Sequence, residues 1–199
     1  KLAIVGLGRA GYNIHLRRVR EDKRYQVTAV TDWVESRIIE VVEELGCEGY
    51  PDYRDLLRYA DAEVVVVASA SESHPDIACA ALRSGRHAIV EKPMANTPAA
   101  ARRMIRTAQQ TGRQLLMHHN RRFSQEFLHL KQLVSGSKLG EIFEIRMRDL
   151  SFHRRCDWQT LRQFHGGLLN NAGSHYLDLG LQLLGSPVQK LYCDLKQVA

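Results

Sequence analysis

The 199-residue chain carries 28 Lys and Arg against 22 Asp and Glu, a formal net charge of +6, and its apolar share of 44% is ordinary for a folded globular protein. No apolar run approaches the ~20 residues that span a bilayer, which excludes a membrane-spanning protein. The basic residues are spread over separate segments without a helix-turn-helix or basic–aromatic strip, so we predict no nucleic-acid partner. The four cysteines form no C-x-x-C pair, and the chain enters a strand at once. These features predict reduced thiols, no metal site, no signal peptide and a cytoplasmic location.

The first twelve residues, KLAIVGLGRAGY, place glycines in the spacing G-x-G-x-x-G directly after a short apolar run. Glycines occur in turns of every kind, so the pattern alone is weak. A strand, such a turn and a helix in succession offer backbone N–H groups and a positive helix end to a pyrophosphate. We therefore expect a dinucleotide to lie against Gly6, Leu7, Gly8, Arg9, Ala10 and Gly11.

A second strand, rich in β-branched residues, is predicted at residues 26–31 and is followed by Asp32, 21 residues beyond Gly11. A carboxylate there can accept hydrogen bonds from both hydroxyls of an adenosine ribose, with Trp33 beside it, and would repel a 2′-phosphate. Asp32 therefore favours NAD over NADP. The alternative is that Asp32 caps the helix predicted at 34–45, and both roles are compatible. Arg37 is the opposing signal, since a nearby arginine can accommodate a 2′-phosphate.

Strands and helices then alternate up to residue 118, which predicts a parallel, doubly wound α/β sheet. The strands are expected at 63–68, 87–91 and 114–118, and the helices at 34–45, 76–84 and 98–111, with a short helical turn around Leu56 and Leu57. The segment Ser69–Pro75 and the tripeptide Glu91-Lys92-Pro93 each follow a strand. Both are therefore predicted at the carboxyl edge of the sheet, where open α/β sheets bind ligands.

The composition changes after residue 118, where HHNRRF indicates a crossover between domains. A helix is expected at 124–134 and another at 168–184. Residues 141–149 alternate apolar and charged side chains, the pattern of an antiparallel strand, and 188–195 starts another strand. We predict a Rossmann domain at 1–120, and at 121–199 part of an α+β domain with an open, largely antiparallel sheet.

Four features in this order resemble the Gfo/Idh/MocA family of NAD(P)-dependent sugar and polyol oxidoreductases. They are the glycine turn, Asp32, Glu91-Lys92-Pro93, and the segment GGLLNNAGSHYLD at 166–178. The resemblance implies hydride transfer between nicotinamide and a secondary hydroxyl of a sugar-like substrate. It also implies a homo-oligomer, dimer or tetramer, formed through the C-terminal sheet. The family's two domains are longer than this chain, which is expected to be a fragment or an incomplete part of a longer protein.

The resemblance also assigns roles to single residues. Lys92 and His175 match the catalytic lysine and histidine, and Asp178 would orient His175 or pack. Asn171, Asn120 and Arg121 would position substrate. The remaining cofactor contacts are carried over to Ser69, Ala70, Ser71, His74, Glu91, Lys92 and Trp158.

Two departures from the family pattern leave alternatives open. Asn171 stands where the family commonly has Asp, so His175 loses a charged partner and Lys92 becomes an equal or better candidate for the base. Ser69-Ala70-Ser71 replaces the usual T-P-N. A solitary lysine or histidine at these positions would otherwise be solvated or packed. A non-catalytic NAD-binding regulator and an NAD-assisted glycoside hydrolase of the same fold are the competing functions.

Overall fold

The computed structural model describes residues 1–150 and 156–196. They divide into two compact units, the first made of Lys1–His119 together with 156–172, and the second of 120–150 together with 173–196. Within these ranges, no helix combines the length and apolar character needed to cross a membrane.

The first unit is built on six parallel strands in the order β3-β2-β1-β4-β5-β6. They are β1 (Leu2–Val5), β2 (Val27–Thr31), β3 (Glu48–Tyr50), β4 (Val64–Val67), β5 (His87–Val90) and β6 (Leu115–Met117). The strand order reverses between β1 and β4, and a doubly wound sheet binds its ligand beside such a switch point. The predicted parallel, doubly wound sheet is confirmed, although β3 was not expected.

The connections are helical, as the sequence predicts. A π-helical turn (Gly11–Leu16) leads into α1 (Arg17–Glu21), followed by α2 (Glu35–Leu45), α3 (Tyr53–Tyr59), α4 (His74–Arg83) and α5 (Pro98–Thr111). Gly46 and Gly112 end α2 and α5 with φ of +64°, a left-handed conformation that favours glycine. Helix α4 begins at His74 rather than at residue 76 because Ser71–Ser73 already forms a 3-10 turn that leads into it.

Two apolar clusters cover the two faces of the sheet. In β5, Ala88 and Val90 belong to the cluster that packs under α3, α4 and α5, whereas Ile89 packs against the cluster beneath the π-helical turn and α2. Successive strand residues point to opposite faces, so this assignment fixes which face each residue beyond β5 favours. The alternation places Glu91 on the side of Ile89.

The second unit contains α6 (Gln125–Ser135) and α7 (Ser174–Leu184), a helix that continues from a π-helical turn at Leu169–Gly173. Both predicted helices are confirmed. The described residues 120–150 and 173–196 contain no strand, so the strands expected at 141–149 and 188–195, and with them the open antiparallel sheet, are absent from this structure. Alternating side chains only make a strand possible, since strand formation needs a backbone partner, and neither segment has one among the residues that the structure describes.

Candidate functional site

The glycine turn has three glycines with three different constraints. Gly6 has φ of +94°, and a Cβ there would lie 2.6 Å from the Ser69 N. A Cβ on Gly11 would lie 1.8 Å from the Gly6 carbonyl oxygen, so helix and turn pack too closely for any side chain. At Gly8 a Cβ would have no protein atom within 4 Å. Gly6 and Gly11 therefore shape the turn, and Gly8 leaves open the space into which a ligand can approach the backbone.

The Asp32 carboxylate lies at the end of β2, 7% exposed, and is held in place by backbone donors. Its Oδ2 accepts from the Leu7 N–H at 2.6 Å, and its Oδ1 accepts from the Val34 N–H at 2.9 Å and from Arg37 at 3.3 Å. Asp32 is not the N-cap of α2, a position that Val34 occupies without a side-chain cap, so that alternative is wrong. Because Asp32 engages the Leu7 N–H, that donor faces the carboxylate and not the open side of the turn.

The segments after β4 and β5 are joined by His74. Its Nδ1 lies 2.9 Å from the Pro93 carbonyl oxygen and its Nε2 lies 3.1 Å from the Ser69 carbonyl oxygen. Burial lowers the pKa of His74, more than the two carbonyl contacts raise it. The side chain is 1% exposed and therefore acts as a bridge between the two segments. The Ser69 hydroxyl lies 2.7 Å from that of Ser73, which fixes the turn at 69–73.

Lys92 follows β5, and its amine is hydrogen-bonded to Asn171. Its Nζ donates to the Asn171 carbonyl oxygen at 2.7 Å and to the Asn171 Oδ1 at 2.8 Å. The Lys92–Pro93 peptide bond is cis. Because Oδ1 accepts from the lysine, the Asn171 amide group keeps its N–H donors for another partner.

Trp158 lies in a 3-10 turn, Trp158–Thr160. Asp157 caps this turn, because its carboxylate accepts from the Gln159 N–H. Gly166 and Gly167 pack closely against this turn. The Gly167 N–H donates to the Gln159 carbonyl at 2.8 Å, and a Cβ on Gly166 would lie 2.3 Å from that oxygen. The paired glycines thus set Trp158 beside the helix that carries Asn171.

One cleft, which we call the cofactor cleft, collects most of the predicted cofactor residues. Those that line it are Gly6, Gly8, Arg9, Ala10, Asp32, Trp33, Ser69, Ala70, Ser71, His74, Glu91, Lys92 and Trp158, together with Arg37. Leu7 and Gly11 are buried behind it. The residues present fit a dinucleotide, since an open glycine backbone, an aspartate fixed at the end of β2 and a lysine line the same cleft.

Three side chains that the sequence did not connect, those of His15, Glu91 and His118, meet beside Lys92, which directly follows Glu91 in the chain. Oε1 of Glu91 lies 2.8 Å from His15 Nε2 and 2.7 Å from His118 Nδ1, and the imidazole centroids are 4.4 Å apart. Burial alone would raise the pKa of Glu91, but the hydrogen bonds to His118 and His15 outweigh it and hold that pKa well below its usual range. The period of two along β5 was the signal that could have placed Glu91 on this face.

The remaining predicted residues belong to the second unit. His175 is 8% exposed on α7, and Asn120 and Arg121 lie in an exposed 3-10 turn. The Arg121 guanidinium stacks over the Tyr176 ring, and Tyr176 donates to Asp149 at 2.9 Å.

Asp178, the expected orienting partner of His175, accepts a two-pronged hydrogen bond from Arg122, with Nε to Oδ2 at 2.7 Å. The Asp178 hydrogen bond raises the pKa of Arg122.

The comparisons with known proteins agree with this arrangement. The oxidoreductase family model for the GFO/IDH/MocA NAD-binding Rossmann fold matches residues 1–119, and the model of the GFO/IDH/MocA C-terminal domain matches 127–199. Residues 1–119 therefore form an NAD(P)-binding Rossmann domain.

Three relatives illustrate the likeness. Inositol 2-dehydrogenase of Salmonella typhimurium is 29% identical over 174 residues, which cover 85% of this chain and 52% of that protein. The scyllo-inositol 2-dehydrogenase (NADP(+)) of Bacillus subtilis is 28% identical over 193 residues, 94% of this chain and 52% of that protein. The crystal structure of the WlbA dehydrogenase from Chromobacterium violaceum, in complex with NADH and UDP-GlcNAcA, is 26% identical with a TM-score of 0.80, covering 92% of this chain and 55% of that one.

The chain thus spans about half the length of these relatives. Because the Rossmann model alone covers residues 1–119 of 199, the chain belongs to the GFO/IDH/MocA oxidoreductase family.

Proposed function

We propose that this protein is a nicotinamide-dependent oxidoreductase acting on a secondary hydroxyl of a sugar, a polyol or a sugar derivative. The observation that supports the proposal is the position of Lys92, which lines the same cleft as the glycine turn and Asp32. A phosphate-binding turn alone would serve any nucleotide protein. A lysine on the wall of that cleft, with its amine held by Asn171, adds a group that can exchange a proton with a substrate hydroxyl.

Lys92 is the proposed proton-handling residue. In the oxidation direction its neutral amine takes the proton of the substrate hydroxyl, and in the reverse direction its ammonium returns it. Nicotinamide, when bound, supplies the acceptor or the donor of the hydride. Asn171 holds the lysine amine through its two oxygens and can use its N–H groups on a substrate hydroxyl.

The second unit contributes further proposed roles, which rest on the family to which the chain belongs. His175 would share the proton transfer, and Asn120 and Arg121 would position substrate hydroxyls or an anionic group. The domain boundary between residues 120 and 121 belongs to the same proposal. Relatives that are named as inositol dehydrogenases support the polyol class, and the neighbour with bound UDP-GlcNAcA supports sugar derivatives.

NAD is the proposed cofactor, with only a moderate preference over NADP. Asp32 supports NAD because its carboxylate disfavours a 2′-phosphate. Arg37 reduces that preference, since its guanidinium lies 3.3 Å from Asp32 Oδ1, its side chain is 47% exposed and it lines the cofactor cleft. The relatives include one that is named as NADP-dependent and one with bound NADH, so both cofactors occur among them.

Self-association through the second unit is proposed as well. Residues 141–149 and 188–195 keep an alternating pattern and expose large apolar side chains, among them Phe143 at 94% and Leu191 at 82%. Pairing these segments as strands of a larger sheet would bury them, and a sheet of that kind can join two copies.

The four free cysteines support the proposal of a cytoplasmic protein, because reduced thiols are typical of that compartment.

A panel of inositols, sugars and nucleotide sugars tests the proposal. Each compound is incubated with the protein and NAD or NADP, and the absorbance of the reduced cofactor is followed at 340 nm. We expect turnover with at least one polyol or sugar derivative. Demonstrated NAD binding with no turnover of any compound would contradict the proposal and favour the regulator. Release of free sugar from a glycoside without net NADH would favour the hydrolase.

A further inference from the structure

The three side chains beside Lys92 come from separate parts of the chain. Glu91 follows β5 on the face of Ile89, and His118, three residues after Leu115 of the opposite face, lies on the same side as Glu91. His15 lies in the π-helical turn that begins directly after the glycine turn and packs on this face. We call the three residues the His15–Glu91–His118 triad.

The geometry of the triad is that of hydrogen bonding. One carboxylate oxygen faces two imidazole nitrogens at 2.8 and 2.7 Å, so each neutral imidazole must present an N–H there. This requirement fixes one tautomer of His15, with the proton on Nε2, and the opposite tautomer of His118, with the proton on Nδ1. Two ligand atoms on a tetrahedral ion with bonds of about 2.1 Å would be about 3.4 Å apart, so these shorter separations favour the hydrogen-bonded form over a metal site.

Both oxygens of the Glu91 carboxylate already have hydrogen-bond partners within the protein. Glu91 is 6% exposed and His15 9% exposed, and the second carboxylate oxygen lies 3.3 Å from the Lys92 N–H. A buried carboxylate needs its partners, because an uncompensated charge in this environment is costly. The triad therefore connects three elements: the helix after the glycine turn, the segment that carries Lys92, and the end of β6.

We propose that Glu91 is a positioning residue that, through the His15–Glu91–His118 triad, fixes Lys92 relative to the glycine turn. This inference rests on the proposed function, since it concerns the distance between the proton-handling amine and the bound dinucleotide. It changes the expected role of Glu91: the residue lines the cofactor cleft, but its carboxylate supports Lys92 and does not itself bind the cofactor.

The first test does not depend on turnover. Nitrogen-15 spectra of the histidine side chains report which ring nitrogen carries the proton. We expect an Nε2–H tautomer for His15 and an Nδ1–H tautomer for His118 near neutral pH, and we expect both to change in Glu91→Ala. Tautomers that are the same in Glu91→Ala as in the parent protein would overturn the triad, whatever the substrate panel shows.

The second test separates positioning from cofactor binding. In Glu91→Ala we expect kcat to fall by about a hundredfold, the cost of a misplaced reacting group, while the NAD dissociation constant stays within about threefold. Glu91→Gln keeps an oxygen acceptor and should recover most of the rate. Glu63→Ala, at the amino end of β4 and outside the cofactor cleft, is the matched control and should leave the rate unchanged. A weakened NAD affinity with unchanged kcat would overturn the proposal.

A double-mutant cycle then asks whether Glu91 acts through Lys92. In the Lys92→Met background, Glu91→Ala should lower the residual rate by less than about threefold, because the group that it positions is gone. Far-ultraviolet circular dichroism and the melting temperature confirm that each variant is folded before rates are compared. Fully additive losses would contradict action through Lys92.

Discussion

Replacing Asn171 by aspartate tests the assignment of Lys92 as the base, because it places a carboxylate where a neutral amide now accepts from the amine. The Asn171 Oδ1 lies 2.8 Å from the Lys92 Nζ, and opposite unit charges at that distance attract by about 1.5 kcal/mol in water and by several times more where water is excluded. One pH unit corresponds to about 1.4 kcal/mol. The carboxylate therefore favours the ammonium form of Lys92 and should move its titration upward by about one to three pH units.

The assay is the pH dependence of kcat/KM for substrate oxidation, followed at 340 nm. Oxidation needs the neutral amine, so the rise of the rate with pH should move to higher pH in Asn171→Asp. Asn13→Asp, on the exposed side of the first helical turn, is the matched control and should leave the profile in place. A profile that stays unchanged or moves to lower pH in Asn171→Asp would refute the assignment of Lys92 as the base.

The other predictions concern the glycine turn, the cofactor preference and the stability of the first unit. Gly8→Val should leave the melting temperature nearly unchanged and weaken NAD binding by about ten- to a hundredfold, which corresponds to the loss of one charge-assisted hydrogen bond. Gly11→Ala should instead lower the melting temperature, because its Cβ would lie 1.8 Å from the Gly6 carbonyl oxygen. Equal melting temperatures of the two variants would contradict this difference. Asp32→Ala should reduce the NAD-to-NADP affinity ratio and Arg37→Ala should increase it, and dissociation constants that leave both ratios unchanged would rule out a role for the pair in cofactor choice. Burial lowers the pKa of His74 in the folded protein, so unfolding takes up a proton below about pH 6.5. The free energy of unfolding, measured by urea titration, should therefore fall as the pH drops below that value. In His74→Gln it should fall less steeply.

The sequence was most informative where local chemistry decides the structure. The Pro98–Thr111 helix agrees with its prediction residue for residue, because Thr97 caps its start and Gly112 ends it. Strand β3 was missed because it is short and contains Gly49. A Cβ on Gly49 would lie 2.5 Å from Ile38 Cγ2, so the residue that weakens the strand pattern is the one that lets α2 pack.

The errors and omissions have a common cause in contacts between distant parts of the chain. The strand predicted at 141–149 has the right alternation, but a strand also needs a pairing partner, which alternation does not supply. The His15–Glu91–His118 triad could not be predicted from spacing, since its members are 76 and 27 residues apart. Lys92 and Asn171 were both identified, yet their direct contact across 79 residues became known only from the structure.

The most direct test of the central claim is to measure NAD binding and hydride transfer together in Lys92→Met, which keeps the length of the side chain and removes the amine. General acid–base catalysis contributes about a hundred- to ten-thousandfold to a rate, so kcat should fall by that factor while the NAD dissociation constant changes by less than about tenfold. A rate that remains within about threefold of the parent protein, with NAD still bound, would contradict the account.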